Sequence, residues 1–362
     1  MRVNGKQFGR QLMLTAAVLL SMAGCSRLGP ENPGAERELL CQSRTGCRYV
    51  TNGDQYWEEK NPEWDLYWLT LRDQRGRPEE IRFELTEDVE RDVFALNEDG
   101  QIVWKRTLDR GNHSIPVTKG MERILFSVRV GEPFRPVGTG MHPRLETPFT
   151  GRRLSVLGDS VSAFAGYIPW DEYSYYSSMN FGAASMWWAV LAEHTGMELC
   201  KINAVSGSGV VVPEDAASDR LLAGGSDRCK DLLSGDGEAP DEILVMLGGN
   251  DFLRQIPSDR IKREYLEMLS KIKEAYPAAG IHVCTYYQCP SLPLTRLEEL
   301  NGLLRSIAEE AGVGLIDLQD CGILESEPKK YLIDEVLHPN ERGQILIGIC
   351  GAQQLLESEA AP

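Results

Sequence analysis

Leu154-Ser155-Val156-Leu157-Gly158-Asp159-Ser160-Val161-Ser162 runs four residues of buried-strand character into a glycine turn that ends on a serine. A short apolar run bounded by a turn signal reads as a strand covered on both faces. Comparable runs recur at residues 198–202, 243–247, 281–283 and 314–316. Longer segments separate them, and these carry helical spacing. Residues 260–276 place Ile261, Tyr265, Leu266, Leu269 and Ile272 on one face, 297–311 repeat the pattern, and 343–356 close the chain. Strands alternating with helices predict an α/β unit with a mostly parallel sheet and helices on both faces. In such a sheet, ligands and chemistry sit just beyond the carboxyl ends of the strands.

The residues at those ends are therefore the ones to read. The first strand is followed by Gly158-Asp159-Ser160, which places a hydroxyl, and a backbone N–H able to face an oxyanion, at the sheet edge. The second leads into Asn203-Ala204-Val205-Ser206-Gly207, and the third into Gly248-Gly249-Asn250-Asp251, which brings a side-chain amide to the same edge. Near the C-terminus Leu337-His338-Pro339-Asn340 precedes the last helical pattern, with Asp334 and Glu335 just upstream. Each block alone is a common turn or cap. Four of them in one order, each after a predicted strand, are a far more specific signal.

This order resembles the SGNH (GDSL-type) hydrolases, over about residues 154–354. Gly166-Tyr167-Ile168-Pro169 and the pair Trp187-Trp188 also resemble bacterial members of that family. The resemblance implies a flavodoxin-like three-layer α/β/α domain over 146–362 and a serine esterase without a cofactor or metal. Ser160 would be the nucleophile and His338 its general base and later acid, a role suited to imidazole near neutrality. Backbone N–H groups of Ser160 and Gly207 and the amide of Asn250 would form the oxyanion hole. Asp159 and Asp251 read as turn and scaffold residues. The family's acid lies three residues before the histidine, where Glu335 stands, with Asp334 one further away. The alternatives are a glutamate orienter, Asp334 reaching the imidazole through a rearranged loop, and a dyad held by a backbone carbonyl.

Upstream, residues 64–130 alternate with period two, as in Ile81, Phe83, Leu85 and Ile124, Phe126, Val128, Val130, broken by turns such as Asp99-Gly100 and Lys119-Gly120. These are expected to be half-buried strands of a small antiparallel β-sandwich spanning 46–145. Trp57, Trp64, Trp68 and Trp104 fall there, either as core and shell residues or as stacking faces for sugars.

Arg2, Lys6 and Arg10 precede an uncharged stretch from Gln11 to Gly24, the pattern of a signal peptide over 1–24. Met22-Ala23-Gly24-Cys25 resembles a lipoprotein lipobox, which implies acylation of Cys25, a lipid-anchored linker over 25–45, and an exported, membrane-anchored protein at the periplasm or cell surface. Eight cysteines remain, which permits disulfides in an exported chain. Cys41 with Cys47 and Cys284 with Cys289 are the nearest pairs in sequence.

Composition narrows the remaining options. With 42% hydrophobic and 25% charged residues the chain is a folded globular protein. A net charge of −16 gives no general attraction to nucleic acid. No H-E-x-x-H, C-x-x-C, P-loop or G-x-G-x-x-G occurs. The expected substrate is a small-molecule or glycan ester, chiefly O-acetyl groups of extracellular carbohydrate, by analogy with carbohydrate acetylesterases that carry a β-sandwich before an SGNH domain. A lysophospholipase or thioesterase acting on lipids, and a non-catalytic glycan-binding lipoprotein, are the competing readings.

Overall fold

The computed structural model describes residues 37–39, 41–71, 78–97, 99–139, 147–168, 173–177, 180–211 and 221–360. The signal segment 1–24 and Cys25 lie outside the described residues.

The α/β unit is built on five parallel strands, β10 (Arg153–Gly158), β11 (Glu198–Ala204), β12 (Glu242–Met246), β13 (Gly280–Cys284) and β14 (Gly314–Ile316). Their order across the sheet is β11-β10-β12-β13-β14. Numbered within the unit this is 2-1-3-4-5, the flavodoxin-like arrangement, whose switch point lies between its first and third strands. Helices α1 (Trp187–Thr195), α2 (Gly249–Leu253), α3 (Ser258–Ala275), α4 (Leu294–Ala311), α5 (Pro328–Tyr331) and α6 (Glu341–Ala360) complete it. Right-handed crossovers that leave the switch point in opposite directions put their helices on opposite faces. Consistent with this, α1 packs on α6 and α3 packs on α4.

Two antiparallel sheets precede this unit. One has the order β2 (Gln42–Asn52), β3 (Gln55–Thr70), β8 (Arg123–Arg129), β5 (Arg91–Leu96) and β6 (Ile102–Leu108). The other runs β1 (Arg37–Glu38), β9 (Val137–Thr139), β4 (Glu80–Leu85) and β7 (Gly111–Pro116). Leu69, Val93, Ile124, Phe126 and Val128 of the larger sheet share a core with Ile81, Phe83, Leu85 and Ile115 of the smaller. Its opposite face carries Tyr49, Leu66, Trp68, Phe94 and Leu125 into the core that holds Phe164, Phe181, Trp187 and Trp188. Both faces of the larger sheet are thus covered, and β8 is buried along nearly its whole length rather than half-buried as its alternation suggests.

Strands β1 and β2 lie partly inside the stretch expected to be linker up to residue 45. Their sequence, Arg37–Glu38 and the polar start of β2, carries no alternating apolar signal, so pairing with β9 and β3 reveals what composition hides. The β2–β3 hairpin also reaches the α/β unit. Gln42 Nε2 donates to the Met197 carbonyl at 2.7 Å, and Glu58 Oε1 accepts the Ala183 N–H at 2.8 Å. Arg44 donates to the Gly166 carbonyl, and Thr70 donates through both its N–H and its hydroxyl to Glu193.

Trp68 is fully buried, Trp64 is buried beneath the Arg129 guanidinium, and Trp57 and Trp104 are half-buried. Trp64 and Trp68 are therefore core residues. Cys47, Cys284 and Cys289 are free thiols, which removes both disulfides suggested by sequence proximity. The reason at the first pair is geometric, since Cys41 and Cys47 pack into different cores.

Within the smaller domain Arg91 and Glu132 form an ion pair at 2.5 Å, both side chains essentially excluded from solvent. Glu132 also accepts the N–H groups of Thr86 at 2.6 Å and Glu87 at 3.0 Å. Removing one member of such a pair strands a buried charge. Glu132→Ala is expected to lower stability by about 3–5 kcal/mol, read from urea unfolding of the purified protein.

Candidate active site

Ser160 sits in the turn after β10, and its geometry is set by close packing. A Cβ on Gly158 would come within 2.5 Å of Ser162 Oγ, so only glycine fits there. Asp159 closes the turn by accepting the Val161 N–H at 3.0 Å. Beneath it, Trp187 Nε1 donates to Ser162 Oγ at 3.1 Å and Trp188 Nε1 to the Ser162 carbonyl at 3.0 Å. The tryptophan pair thus serves as a clamp under the serine turn.

The chain returns to this turn 178 residues later. His338 Nε2 lies 2.9 Å from Ser160 Oγ, and His338 Nδ1 lies 2.6 Å from Asp334 Oδ2. An ionised carboxylate only accepts, so Nδ1 carries the proton and Nε2 is left to accept from the serine hydroxyl. Asp334 Oδ1 meanwhile accepts three backbone N–H groups, from Val336 at 3.0 Å, Leu337 at 2.9 Å and His338 at 3.0 Å. Partial burial pushes this carboxyl up, but the bonds from His338 and the three N–H groups outweigh it and bring it down to about 2.

One backbone torsion separates the two acids in space. Glu335 adopts φ 60°, and the chain curls so that Asp334, four residues before the histidine, faces the imidazole. Glu335 points away, half-exposed, and its carboxylate lies 3.9 Å from Lys329 Nζ. In this arrangement the carboxylate that bonds the imidazole is that of Asp334, while that of Glu335 faces Lys329.

Asn250 lies in the first turn of α2, beyond β12. Its Nδ2 donates to the Ser208 carbonyl at 2.9 Å, which fixes the plane of the amide, and makes only a long 3.4 Å contact to Asp159 Oδ2. One of its two hydrogens is therefore weakly engaged. Gly207 follows β11 with φ 78°, in the left-handed region, and its carbonyl accepts from Arg254 Nη2 at 2.6 Å. Ser160, Asn250 and Gly207 thus follow β10, β12 and β11, the three adjacent strands that include the switch point.

Asp159 and Asp251 are scaffold groups. Burial raises both carboxyls, Asp159 accepting the Tyr286 hydroxyl at 2.8 Å and Asp251 the N–H groups of Val210 and Val211. Arg228 is a site-building residue that sequence reading missed. It bonds the Gly158 carbonyl at 2.7 Å, Asn203 Oδ1 at 3.0 Å and the Ser208 hydroxyl, tying the ends of β10 and β11 together. An arginine in a single helical turn, Asp227–Lys230, carries no signal of such a role. Of the other histidines, His282 bonds Glu242 and His113 bonds the Asp109 carbonyl, His194 lies in α1, and His142 lies outside the described residues.

The sequence model of the GDSL-like Lipase/Acylhydrolase family matches residues 156–345, just over half of the chain, and spans all four blocks. The chain belongs to this family. It is accordingly an ester hydrolase of the GDSL/SGNH class. No curated protein matches the chain. Among solved structures, a Bacteroides uniformis protein assigned as a GDSL-like lipase is 24% identical, covering 58% of this chain and 96% of its own, with a TM-score of 0.44. A carbohydrate esterase family 2 enzyme with a carbohydrate-binding domain from Corynascus thermopiles (Myceliophthora fergusii) is 13% identical, covering 90% and 100%, with a TM-score of 0.44. A family two carbohydrate esterase from Clostridium thermocellum, solved with cellohexaose, is 15% identical, covering 87% and 97%, with a TM-score of 0.43.

Proposed function

We propose that this GDSL-type hydrolase is a serine esterase that removes short acyl groups, chiefly O-acetyl groups, from extracellular carbohydrate. The observation that carries the mechanism is the continuous hydrogen-bonded chain Asp334–His338–Ser160 at the carboxyl edge of the parallel sheet.

Ser160 Oγ attacks the ester carbonyl while its proton passes to His338 Nε2. The carbonyl electron pair moves onto oxygen, where the N–H groups of Ser160 and Gly207 and the weakly engaged hydrogen of Asn250 receive it. Collapse expels the alcohol, which takes the proton from His338, and leaves an acyl-serine. Water then repeats the sequence, His338 accepting its proton and returning it to Ser160 as the acid departs. Asp334 holds the Nδ1 tautomer throughout.

A short acyl group is favoured by what lies beneath the serine. Trp187 and Trp188 bond Ser162, Tyr286 bonds Asp159, and all three side chains are almost completely buried against the serine turn. The carbohydrate assignment rests on the export and lipid-anchor reading of residues 1–25, under which the site would face O-acetylated polysaccharide outside the cytoplasm.

Initial rates on p-nitrophenyl acetate, butyrate and octanoate test the acyl preference. The acetate ester is expected to be cleaved best, and a preference for octanoate would redirect the assignment to lipids. Asn250→Ala is expected to lower kcat by about 10²–10³ with the fold retained by circular dichroism. Full activity in that variant would remove Asn250 from the oxyanion hole.

A further inference from the structure

We propose that Tyr175 is a positioning residue for the reaction, its ring holding the His338 imidazole in the plane from which Nε2 addresses Ser160. The inference rests on the serine-hydrolase reading above and deepens it.

The two rings are stacked face to face, with centroids 3.7 Å apart and planes only 11° from parallel. His338 is otherwise held at two edge atoms, Nδ1 by Asp334 and Nε2 by Ser160. Two edge bonds define a line across the ring and resist tilting about that line poorly. A tilt swings the Nε2 lone pair away from the serine hydroxyl, and a flat neighbour at van der Waals distance blocks it. When His338 takes the serine proton, the new cation lies against an electron-rich face.

The tyrosine is itself secured to the nucleophile's own segment. Ala165 N–H donates to the Tyr176 carbonyl at 2.9 Å, and Ser174 Oγ donates to the Ala163 carbonyl at 2.9 Å. Tyr176, fully buried, stands edge-on behind the imidazole with centroids 6.4 Å apart. The residues just past Ser160 thus carry the ring that fixes His338. Burial and the neighbouring Asp334 charge both raise the Tyr175 hydroxyl, so the ring remains neutral through the working range of an imidazole base.

The test compares Tyr175→Phe, which keeps the flat face, with Tyr175→Leu, which keeps bulk and loses it. The phenylalanine variant is expected to retain most of the activity on p-nitrophenyl acetate. The leucine variant is expected to lose about 10–100-fold in kcat, with KM and Tm unchanged. In proton NMR the His338 ring resonances, assigned by their loss in His338→Gln, should move downfield in Tyr175→Leu as the ring current disappears. Wild-type kcat in the leucine variant, an unmoved resonance, or a rise in KM at constant kcat would each overturn the proposal, the last by making Tyr175 a substrate contact. The resonance is read without substrate. An inactive wild type or an active Ser160→Ala would therefore bring down the hydrolase reading separately from the stack.

Discussion

Replacing Ser160 by alanine is expected to lower kcat on p-nitrophenyl acetate by about 10⁴–10⁶, the largest effect of any single substitution in this protein. In the proposed mechanism the alanine removes the atom that bonds the acyl carbon. The imidazole, its carboxylate and the oxyanion donors remain, so binding and a residual water reaction persist. His338→Ala should cost about as much, and the double variant little more than either single one, because the two groups act as one unit. The fold is expected to be unchanged, since the substitution deletes one small polar atom whose hydrogen-bond partner among the described residues is the His338 ring. Additive losses in the double variant would mean that serine and histidine act independently.

The second large effect separates two adjacent acids. Asp334→Asn is expected to lower kcat by about 10⁴, whereas Glu335→Gln leaves it unchanged. An asparagine still offers an oxygen to the N–H groups of Val336, Leu337 and His338, so the turn is retained. Its amide, however, donates toward His338 Nδ1 and forces the ring proton onto Nε2, which can then no longer accept from Ser160. The same carboxylate contributes to stability. Its folded value of about 2 lies below the ordinary aspartate value of 3.8, so its contribution is present above about pH 4 and withdrawn as pH falls toward 2. Urea unfolding of wild type and Asp334→Asn should therefore differ most near neutrality and converge in acid. A constant difference across that range would remove the ionised carboxylate as its source.

The contrast between these two acids also marks how far the sequence can be read. Strands β10 and β12 are legible because each is a short, mostly apolar run that leads into glycine, and the serine, amide and histidine are legible because each follows such a run or stands just before the last helix. Asp334 and Glu335 cannot be separated that way. Their roles depend on one residue entering the left-handed region, a backbone event that neither composition nor spacing encodes. The long β2–β3 hairpin escaped for a different reason. Its strands carry charged and aromatic residues that become buried against the α/β unit, so the relevant pattern belongs to that contact rather than to the hairpin alone. Arg228 and Tyr175 are likewise visible only once loops far apart in sequence share an edge of the sheet.

The central claim is that Ser160 is an activated nucleophile, and it can be tested without knowing the substrate. A phosphonofluoridate reacts with such a serine by displacement of fluoride, leaving a phosphonyl group on Oγ, and intact-protein and peptide mass spectrometry locate it. The account predicts one adduct, on the Ser160 peptide, formed by the wild type and absent in Ser160→Ala and His338→Ala. An unmodified wild type of verified fold, or an adduct carried by another residue, would contradict it.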